Sequence, residues 1–124
     1  MATRLTFGEF FKAKRIEQGH TLREFCKLHD RDPGNLSKIE RGLMPPPESK
    51  EKLEQYCDNL GIKKGASDWF DFHDLAATAR RSIPADLWND QRVLDALPII
   101  FRTFRNKKIS AEKIDELIEA IKKV

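Results

Sequence analysis

The feature that most constrains this chain is residues 21–42, TLREFCKLHDRDPGNLSKIERG, which carry start and stop signals for two short consecutive helices. Thr21 is a suitable N-cap, because its hydroxyl can accept a hydrogen bond from a backbone N–H of the first turn. Phe25, Cys26 and Leu28 supply the apolar positions of this first helix. A charged run follows and interrupts the apolar pattern. The sequence therefore predicts a short helix that ends before the second signal begins.

The second helix of this stretch begins with an equally clear signal. Asp32 can cap the free backbone donors, and Pro33 suits the first helical position, where no N–H is needed. Leu36 and Ile39 are three residues apart and predict the buried face of the helix, and Gly42 ends it in the C′ position. The side chains left for the other face are Asn35, Ser37, Lys38 and Arg41.

Two helices of this size joined by a short turn form a helix-turn-helix, whose second helix fits a DNA major groove. Residues around and within these two helices match the sequence pattern of one helix-turn-helix family. They are Lys14, Arg15, Ile16, Gly19, Thr21, Glu24, Phe25, Cys26, the run Leu36–Gly42, and Leu60, Gly61 and Ile62. With these residues, positions 5–62 resemble the phage-repressor (Cro/Xre-like) helix-turn-helix family. The chain departs from that family at His20 and Arg31, where an aliphatic residue is usual, and at Asp30, where glycine is usual.

The resemblance implies an all-α fold. We expect a five-helix lambda-repressor-like helix-turn-helix domain over residues 1–81 and a C-terminal helical extension over residues 82–124, used for dimerisation or partner binding. In the family, an arginine at the position of Arg15 forms a buried or half-buried ion pair with the glutamate matching Glu40. These two residues are therefore expected to be scaffold that locks the first helix to the recognition helix.

A protein that reads DNA needs cations and amides that contact phosphates, and a few side chains that contact base edges. Thr21 and Arg23 lie where related repressors touch the DNA backbone. Arg41 and Lys50 are expected to contact the flanking phosphates, and each neutralised phosphate makes binding more sensitive to salt.

Base reading is expected from the outward face near the start of the second helix. Related repressors often carry polar base readers at the positions of Pro33 and Gly34, and neither residue here has a donor side chain. Pro33 offers apolar contact to a thymine methyl, and Gly34 allows close backbone approach. Hydrogen-bond readout is then left to Lys38, Ser37 and Asn35, in that order of expectation, since asparagine suits adenine and lysine suits guanine.

Composition supports a compact, helix-rich protein and excludes little else. The chain has 124 residues, is 40% hydrophobic and 35% charged, and has a formal net charge of +3. No apolar run is long enough to span a bilayer, and the N-terminus lacks a signal-peptide core, so the expected location is the cytoplasm, without a membrane partner. Cys26 and Cys57 fall on predicted buried helix faces and are expected to be free core thiols.

The rest of the chain continues the helical pattern. A helix is predicted over residues 48–60, and Ser67 is expected to cap another that runs to about residue 80, with Trp69, Phe72, Ala76 and Ala79 on one stripe. Residues 82–90 are predicted to be a loop. Residues 91–97 predict a short helix interrupted by Pro98, and residues 99–101 fit either a strand or a short helix. After a turn at residues 106–108, Ser110 caps a final helix with an apolar stripe at Ile114, Leu117, Ile118 and Ile121 and a basic end at Lys122 and Lys123.

No pattern in the sequence points to an enzyme, a cofactor or a metal site. Asp68, Asp71, His73 and Asp74 crowd one helix, but Asp71 and His73 are two residues apart and face different ways, which favours a solvated acidic face. The segment with Phe101, Arg102, Phe104 and Arg105 fits a second nucleic-acid surface. It also fits aromatics packed under the last helix with their cations in water, which is the interpretation favoured here.

The sequence thus predicts a sequence-specific DNA-binding transcriptional regulator. The favoured form is a repressor that binds a pseudo-palindromic operator in double-stranded DNA as a homodimer, with recognition helices about 34 Å apart. The first alternative is an antitoxin resembling the HigA group, which neutralises a toxin protein through its C-terminal part and autoregulates its operon. A purely protein-binding adaptor is the second alternative, since the fold alone does not fix the function.

Overall fold

A computed structural model describes residues 5–83, 85–107 and 110–122, and in these ranges the chain forms eight helices and no strand. The predicted all-α class is therefore confirmed for the described residues. The helices are α1 (Phe7–Glu17), α2 (Leu22–His29), α3 (Pro33–Glu40), α4 (Lys50–Asn59), α5 (Ser67–Ala79), α6 (Ala85–Trp88), α7 (Gln91–Lys107) and α8 (Ala111–Lys122). No described helix combines the length and the apolar character needed to cross a membrane.

The described chain divides into two compact units. The first unit, residues 5–83, contains α1 to α5, and the second unit, residues 85–122, contains α6 to α8. The sequence-predicted boundary lay at residues 81–82.

Reciprocal caps begin α1 and α2. The Thr6 hydroxyl accepts a hydrogen bond from the Glu9 N–H at 3.2 Å, and the Glu9 carboxylate accepts one from the Thr6 N–H at 2.9 Å. Thr21 and Glu24 repeat this arrangement at 3.2 and 3.0 Å. Each pair satisfies two backbone donors that the helix leaves free, and the N-cap predicted at Thr21 is confirmed.

The turn between α2 and α3 rests on backbone geometry. Asp30 has φ 53°, in the left-handed region that glycine adopts most readily, and the Arg31 N–H donates to the Cys26 carbonyl at 2.8 Å. Asp32 then caps α3 by accepting from the Asn35 N–H at 2.8 Å, with Pro33 as the first helical residue. Gly42, at φ 76°, follows the end of α3 as predicted.

The core of the first unit is built largely from aromatic rings. Phe11, Phe25 and Phe72 are completely buried, and Phe11 meets Phe25 edge-on with ring centroids 5.6 Å apart. Helix α1 packs against both α3 and α5, α2 packs against α3, and α4 packs against α5. α1 and α3 approach so closely at Gly8 that a Cβ there would collide with the carbonyl oxygens of Ile39 and Glu40. The aromatic core therefore fixes α3 from behind.

Three side-chain predictions for the first unit were wrong. Leu28 is 63% exposed, because the buried face of α2 runs through positions 22, 25, 26 and 29, at i, i+3, i+4 and i+7, and Leu22 packs on the core instead. Helix α5 is capped at Ala66 without a side-chain hydrogen bond, so Ser67 is its first residue and not its cap. Ala79 is exposed, whereas Ala77 is buried.

The second unit is more helical than its sequence suggested. Helix α7 runs unbroken through Pro98, so the predicted interruption and the strand alternative at residues 99–101 were both wrong. A short helix, α6, forms within the predicted loop, and it packs on α7. Asn106 and Lys107 continue α7 where a turn was expected, while Lys108 lies outside the described residues.

Ser110 caps α8 as predicted, since its hydroxyl accepts a hydrogen bond from the Lys113 N–H at 3.2 Å. The apolar stripe of α8 is only partly covered, with Ile114 and Leu117 exposed and Ile118 half-buried. The side chains of Ile121 and Lys122, and all of Lys123, lie outside the described part of the chain.

Candidate nucleic-acid interface

Helix α3 has one deeply buried face. Leu36 is 1% exposed and Ile39 is 6% exposed, and both belong to the aromatic core. The eight residues of α3 are too few to be a stable helix alone, so this packing and the Asp32 cap hold it in place. Apart from Glu40, the other side chains of the helix are directed toward its rim or toward solvent.

A buried ion pair fastens α3 to α1. The Arg15 guanidinium donates from Nε to Glu40 Oε2 and from Nη2 to Glu40 Oε1, both at 2.9 Å, while Nη1 donates to the His20 carbonyl at 2.9 Å. The two side chains are only 7% and 6% exposed. Hydrogen bonding to Glu40 raises the pKa of Arg15, outweighing the effect of burial. Such a bidentate contact fixes both the distance and the rotation of α3 relative to α1.

Arg31 holds the turn that precedes α3, a role that sequence analysis missed. Its Nε and Nη2 donate to Asn59 Oδ1 at 3.1 and 2.9 Å, and its guanidinium lies 4.3 Å from the ring centroid of Tyr56. The turn is thereby fastened to α4 by hydrogen bonds and a cation–π contact. Periodicity gave no signal for this contact, because Arg31 lies outside any helix.

The outward face of α3 is polar and accessible. Asn35, Lys38 and Arg41 are exposed, and Ser37 is half-buried. Arg41 bends back to donate from Nε to the Ser37 carbonyl at 3.3 Å. Among the described residues, the Lys38 ammonium has neither an ion-pair partner nor a hydrogen-bond acceptor, so its charge faces solvent. The structure thus brings four of the sequence-predicted DNA contacts onto one short helical face and its end.

Pro33 and Gly34 open the same face and are both exposed. Gly34 has no positive φ, and a Cβ added there would meet only the Asp32 carboxylate, at 3.4 Å. No backbone conformation or close approach within the chain therefore requires glycine at this position.

Three of the predicted phosphate-contacting residues lie at helix starts, and the fourth, Arg41, lies at the end of α3. Thr21 caps α2, and its hydroxyl accepts a hydrogen bond from the Glu24 N–H. Hydrogen bonds from Thr21 lower the pKa of Glu24, which holds that carboxylate ionised in the cap. Arg23, in the first turn of α2, and Lys50, the first residue of α4, are exposed. Helix N-termini carry a partial positive charge that favours phosphate oxygens.

Two of the residues that crowd α5, Asp68 and His73, are engaged in pairs and are not gathered as ligands. Lys14 forms an ion pair with Asp68, whose hydrogen bond raises the pKa of the lysine. His73 Nε2 lies 3.2 Å from Glu54 Oε1, and the same carboxylate accepts a hydrogen bond from the Trp69 indole. Within the described residues, no group of three or more histidine, cysteine or acidic side chains is arranged to hold a metal ion.

The two cysteines have the environment of core residues. Cys26 and Cys57 are buried, free thiols. Burial raises the pKa of both, that of Cys57 to about 12, so neither forms the thiolate that nucleophilic chemistry requires. This agrees with the expectation of structural thiols.

Comparison of the chain with protein-family models, with curated proteins and with solved structures gave no significant match. We therefore infer the function from the geometry and chemistry of α1 to α4.

Proposed function

We propose that this protein is a sequence-specific DNA-binding transcriptional regulator with the five-helix arrangement of the Cro/Xre-like helix-turn-helix family. In this proposal α2 and α3 are the two motif helices, and α3 enters the major groove. The regulator acts as a repressor, binding a pseudo-palindromic operator as a homodimer.

One observation carries the proposal. Helix α3 buries Leu36 and Ile39 and is clamped by Arg15 and Glu40, yet the side chains on its other face are polar and reach solvent. Major-groove reading requires a helix whose buried face is held rigidly and whose solvent face carries unpaired hydrogen-bond donors, because base contacts demand fixed geometry. A merely solvated helix would not need a buried two-pronged ion pair to fix its orientation.

The proposed DNA contacts are of two kinds: those that position the protein on phosphates and those that read base edges. Thr21, Arg23, Arg41 and Lys50 supply one hydroxyl and three cations for phosphates on either side of α3, and these contacts carry no sequence information. Lys38 supplies the first base contact, with Ser37 and Asn35 beside it. Only these three polar side chains and the Pro33–Gly34 edge face the groove, so the proposed operator half-site is short.

In-vitro selection of duplex DNA with the purified full chain tests this proposal. We expect enrichment of an inverted repeat whose half-site centres lie about 10 base pairs, or one helical turn, apart. Selection with Lys38→Ala should lose or relax one half-site position, whereas Lys12→Ala, which removes an exposed lysine from α1, should return the wild-type sequence. Failure of the folded protein to enrich any sequence at low salt would contradict the proposal and favour a protein-binding adaptor.

The antitoxin alternative is favoured by a separate observation. Helices α6 to α8 expose several large apolar side chains, among them Trp88 and Phe101, which a toxin partner would cover. The alternative predicts a stable complex with the product of an adjacent reading frame, and relief of the growth arrest which that product causes. It is compatible with DNA binding through α3, since an autoregulating antitoxin needs both activities.

A further inference from the structure

We infer that Arg31 is a positioning residue for DNA reading, which sets the angle of α3 through Asn59 and Tyr56 of α4 and does not itself contact DNA. The inference rests on the proposed function and adds to it a residue on which the choice of sequence depends. It concerns sequence discrimination and not general affinity for DNA, so it can fail while DNA reading by Lys38 stands.

Helix α3 is fastened near both of its ends. At its last residue, Glu40 forms the buried bidentate ion pair with Arg15 of α1. Two residues before its first residue, Arg31 donates from Nε and Nη2 to Asn59 Oδ1 at 3.1 and 2.9 Å. Apolar contacts hold α3 against the core without fixing a direction, because the hydrophobic effect is non-directional. The polar contact at the N-terminal end therefore fixes the axis of the helix together with the ion pair at the other end.

Asn59 can hold the turn because it is itself held in place. It is the last residue of α4, and its backbone carbonyl accepts a hydrogen bond from Gln18 Nε2 at 3.1 Å. Gln18 is the C-cap of α1. The end of α1, the turn before α3 and the end of α4 thus meet at one asparagine. A movement of the turn would have to break hydrogen bonds to a residue that two other helices hold.

The contact needs the shape of a guanidinium and not only its charge. The Arg31 guanidinium lies 4.3 Å from the ring centroid of Tyr56, while two of its nitrogens donate to a single oxygen of Asn59. A planar guanidinium can lie over a ring and donate in its own plane at the same time, which the ammonium of lysine cannot do. Arginine only donates, so the oxygen of the Asn59 amide must face it. The two contacts together fix Arg31 in one orientation.

The turn departs here from the family that the sequence resembles. Arg31 stands where an aliphatic residue is usual, and Asp30 stands where glycine is usual. The backbone of the turn is nevertheless well defined, with Asp30 at φ 53° and a hydrogen bond from the Arg31 N–H to the Cys26 carbonyl at 2.8 Å. An aliphatic side chain at position 31 could not donate to Asn59. The polar contact between the turn and α4 therefore follows from residues particular to this chain.

The other role for a cation at position 31 is a direct contact to phosphate. The positioning role is favoured because Arg31 is half-buried, donates to Asn59 through two of its three guanidinium nitrogens and lies over Tyr56. Arg23 and Arg41, which are proposed to contact phosphates, are exposed. The two roles predict different effects on the salt dependence of binding.

The test compares the affinities of the full chain for its selected duplex and for a scrambled duplex, at several salt concentrations. Arg31→Met removes the guanidinium, whereas Asn59→Leu keeps the guanidinium and removes its acceptor. We expect each variant to lose at least about fivefold in the ratio of the two affinities, the low end of what one base contact contributes. In Asn59→Leu, affinity for the scrambled duplex should change by less than about twofold, since the phosphate contacts remain.

Three further variants separate geometry from charge. The double variant Arg31→Met/Asn59→Leu should lose no more discrimination than either single variant, because both changes remove the same contact. Arg31→Lys keeps the positive charge without the planar fork, so it should also lose most of the discrimination. The matched control is Lys27→Met, which removes an exposed cation from α2 and should leave the ratio of affinities unchanged. Urea unfolding establishes that each variant is folded under the conditions of binding.

Three results would overturn the inference. The first is an unchanged ratio of affinities in folded Arg31→Met and Asn59→Leu. The second is an equal fall in affinity for both duplexes in Arg31→Met, with a salt dependence reduced by about one phosphate contact, because Arg31 would then bind DNA directly. The third is complete unfolding of the first unit by both Asn59→Leu and Arg31→Lys, because the contact would then serve stability alone.

Failure of the proposed function gives a different result. In that case the wild-type chain enriches no duplex sequence, and the inference falls with the function on which it rests. If Lys38→Ala lowers the ratio of affinities and Arg31→Met does not, DNA reading by α3 stands and only the positioning role of Arg31 is overturned.

Discussion

Replacing Glu40 by Gln should destabilise the first unit by about 3 kcal/mol, the lower end of the range for removing one partner of a buried ion pair. Arg15 and Glu40 are 7% and 6% exposed, so neither charge is compensated by water. Glutamine keeps one acceptor for the guanidinium but directs its amide donors at a group that only donates. Arg15 stays protonated, because arginine cannot lose its proton in a protein, and it is left as an uncompensated buried charge.

The assay is urea unfolding followed by the fluorescence of Trp69, in a Trp88→Phe background so that only the first unit contributes. The matched control is Glu17→Gln, which removes an exposed carboxylate from α1 where it pairs with Lys14. An exposed pair of this kind is worth about 0.5 kcal/mol or less. In thermal unfolding, Glu40→Gln should lower the midpoint by roughly 12–24 °C, at about 4–8 °C per kcal/mol for a unit of this size.

Equal effects of Glu40→Gln and Glu17→Gln would contradict this prediction, since the Arg15–Glu40 pair would then behave as a surface contact. The double variant Arg15→Met/Glu40→Leu separates the causes further. If the cost arises from an uncompensated charge, removing both charges should restore most of the lost stability, because apolar replacements of buried ion pairs are often neutral or stabilising.

Three further predictions concern single residues of the first unit. Gly8→Ala should cost more than about 2 kcal/mol in urea unfolding, because its Cβ would collide with the backbone of Ile39 and Glu40; a cost below about 0.5 kcal/mol would show that α1 and α3 can separate freely. Asp30→Gly should stabilise by about 0.5–1 kcal/mol, since φ 53° suits glycine, and a loss of stability would mean that the Asp30 side chain has a role of its own. Burial raises the pKa of Cys57 from 9.0 to about 12. The neutral thiol therefore contributes its full stability to the folded first unit below pH 9, and this stability is lost as the pH rises from 9 to 12, because the unfolded chain ionises first. Between pH 9 and 11 the urea midpoint should fall more steeply for wild type than for Cys57→Ala, and equal slopes would contradict this.

Local signals in the sequence were sufficient to predict the helices of the first unit. Thr6, Thr21 and Asp32 cap helices through hydrogen bonds to residues three positions away, and Gly42 ends α3 through its own backbone conformation. These interactions involve only neighbours in the chain, which explains why pattern and spacing predict them.

Interactions between distant residues were not accessible in the same way. Arg31 contacts Asn59 and Tyr56 across 28 and 25 positions in the chain, and nothing in the local sequence marks it as the residue that holds the turn. At Pro98, the local rule predicts a break because proline lacks the N–H that helix bonding uses. The structure departs from this rule, and α7 continues through Pro98.

For the candidate interface, the sequence predicted which residues of α3 face outward but not how they are arranged. The outward positions followed from Leu36 and Ile39 on the opposite face, and the structure exposes Asn35, Lys38 and Arg41 accordingly. The hydrogen bond from the Arg41 side chain to the Ser37 carbonyl depends on the rotamer of Arg41, which the sequence pattern does not predict.

We propose that the outward face of α3 reads DNA, and a titration of Lys38→Ala on its selected duplex tests this claim. Affinity for that duplex and for a scrambled one should be measured at several salt concentrations, with Lys12→Ala as the matched control. We expect Lys38→Ala to lose about 1–3 kcal/mol of binding free energy on the selected duplex and much less on the scrambled one. Equal affinities and equal sequence preference for wild type and Lys38→Ala would contradict the claim.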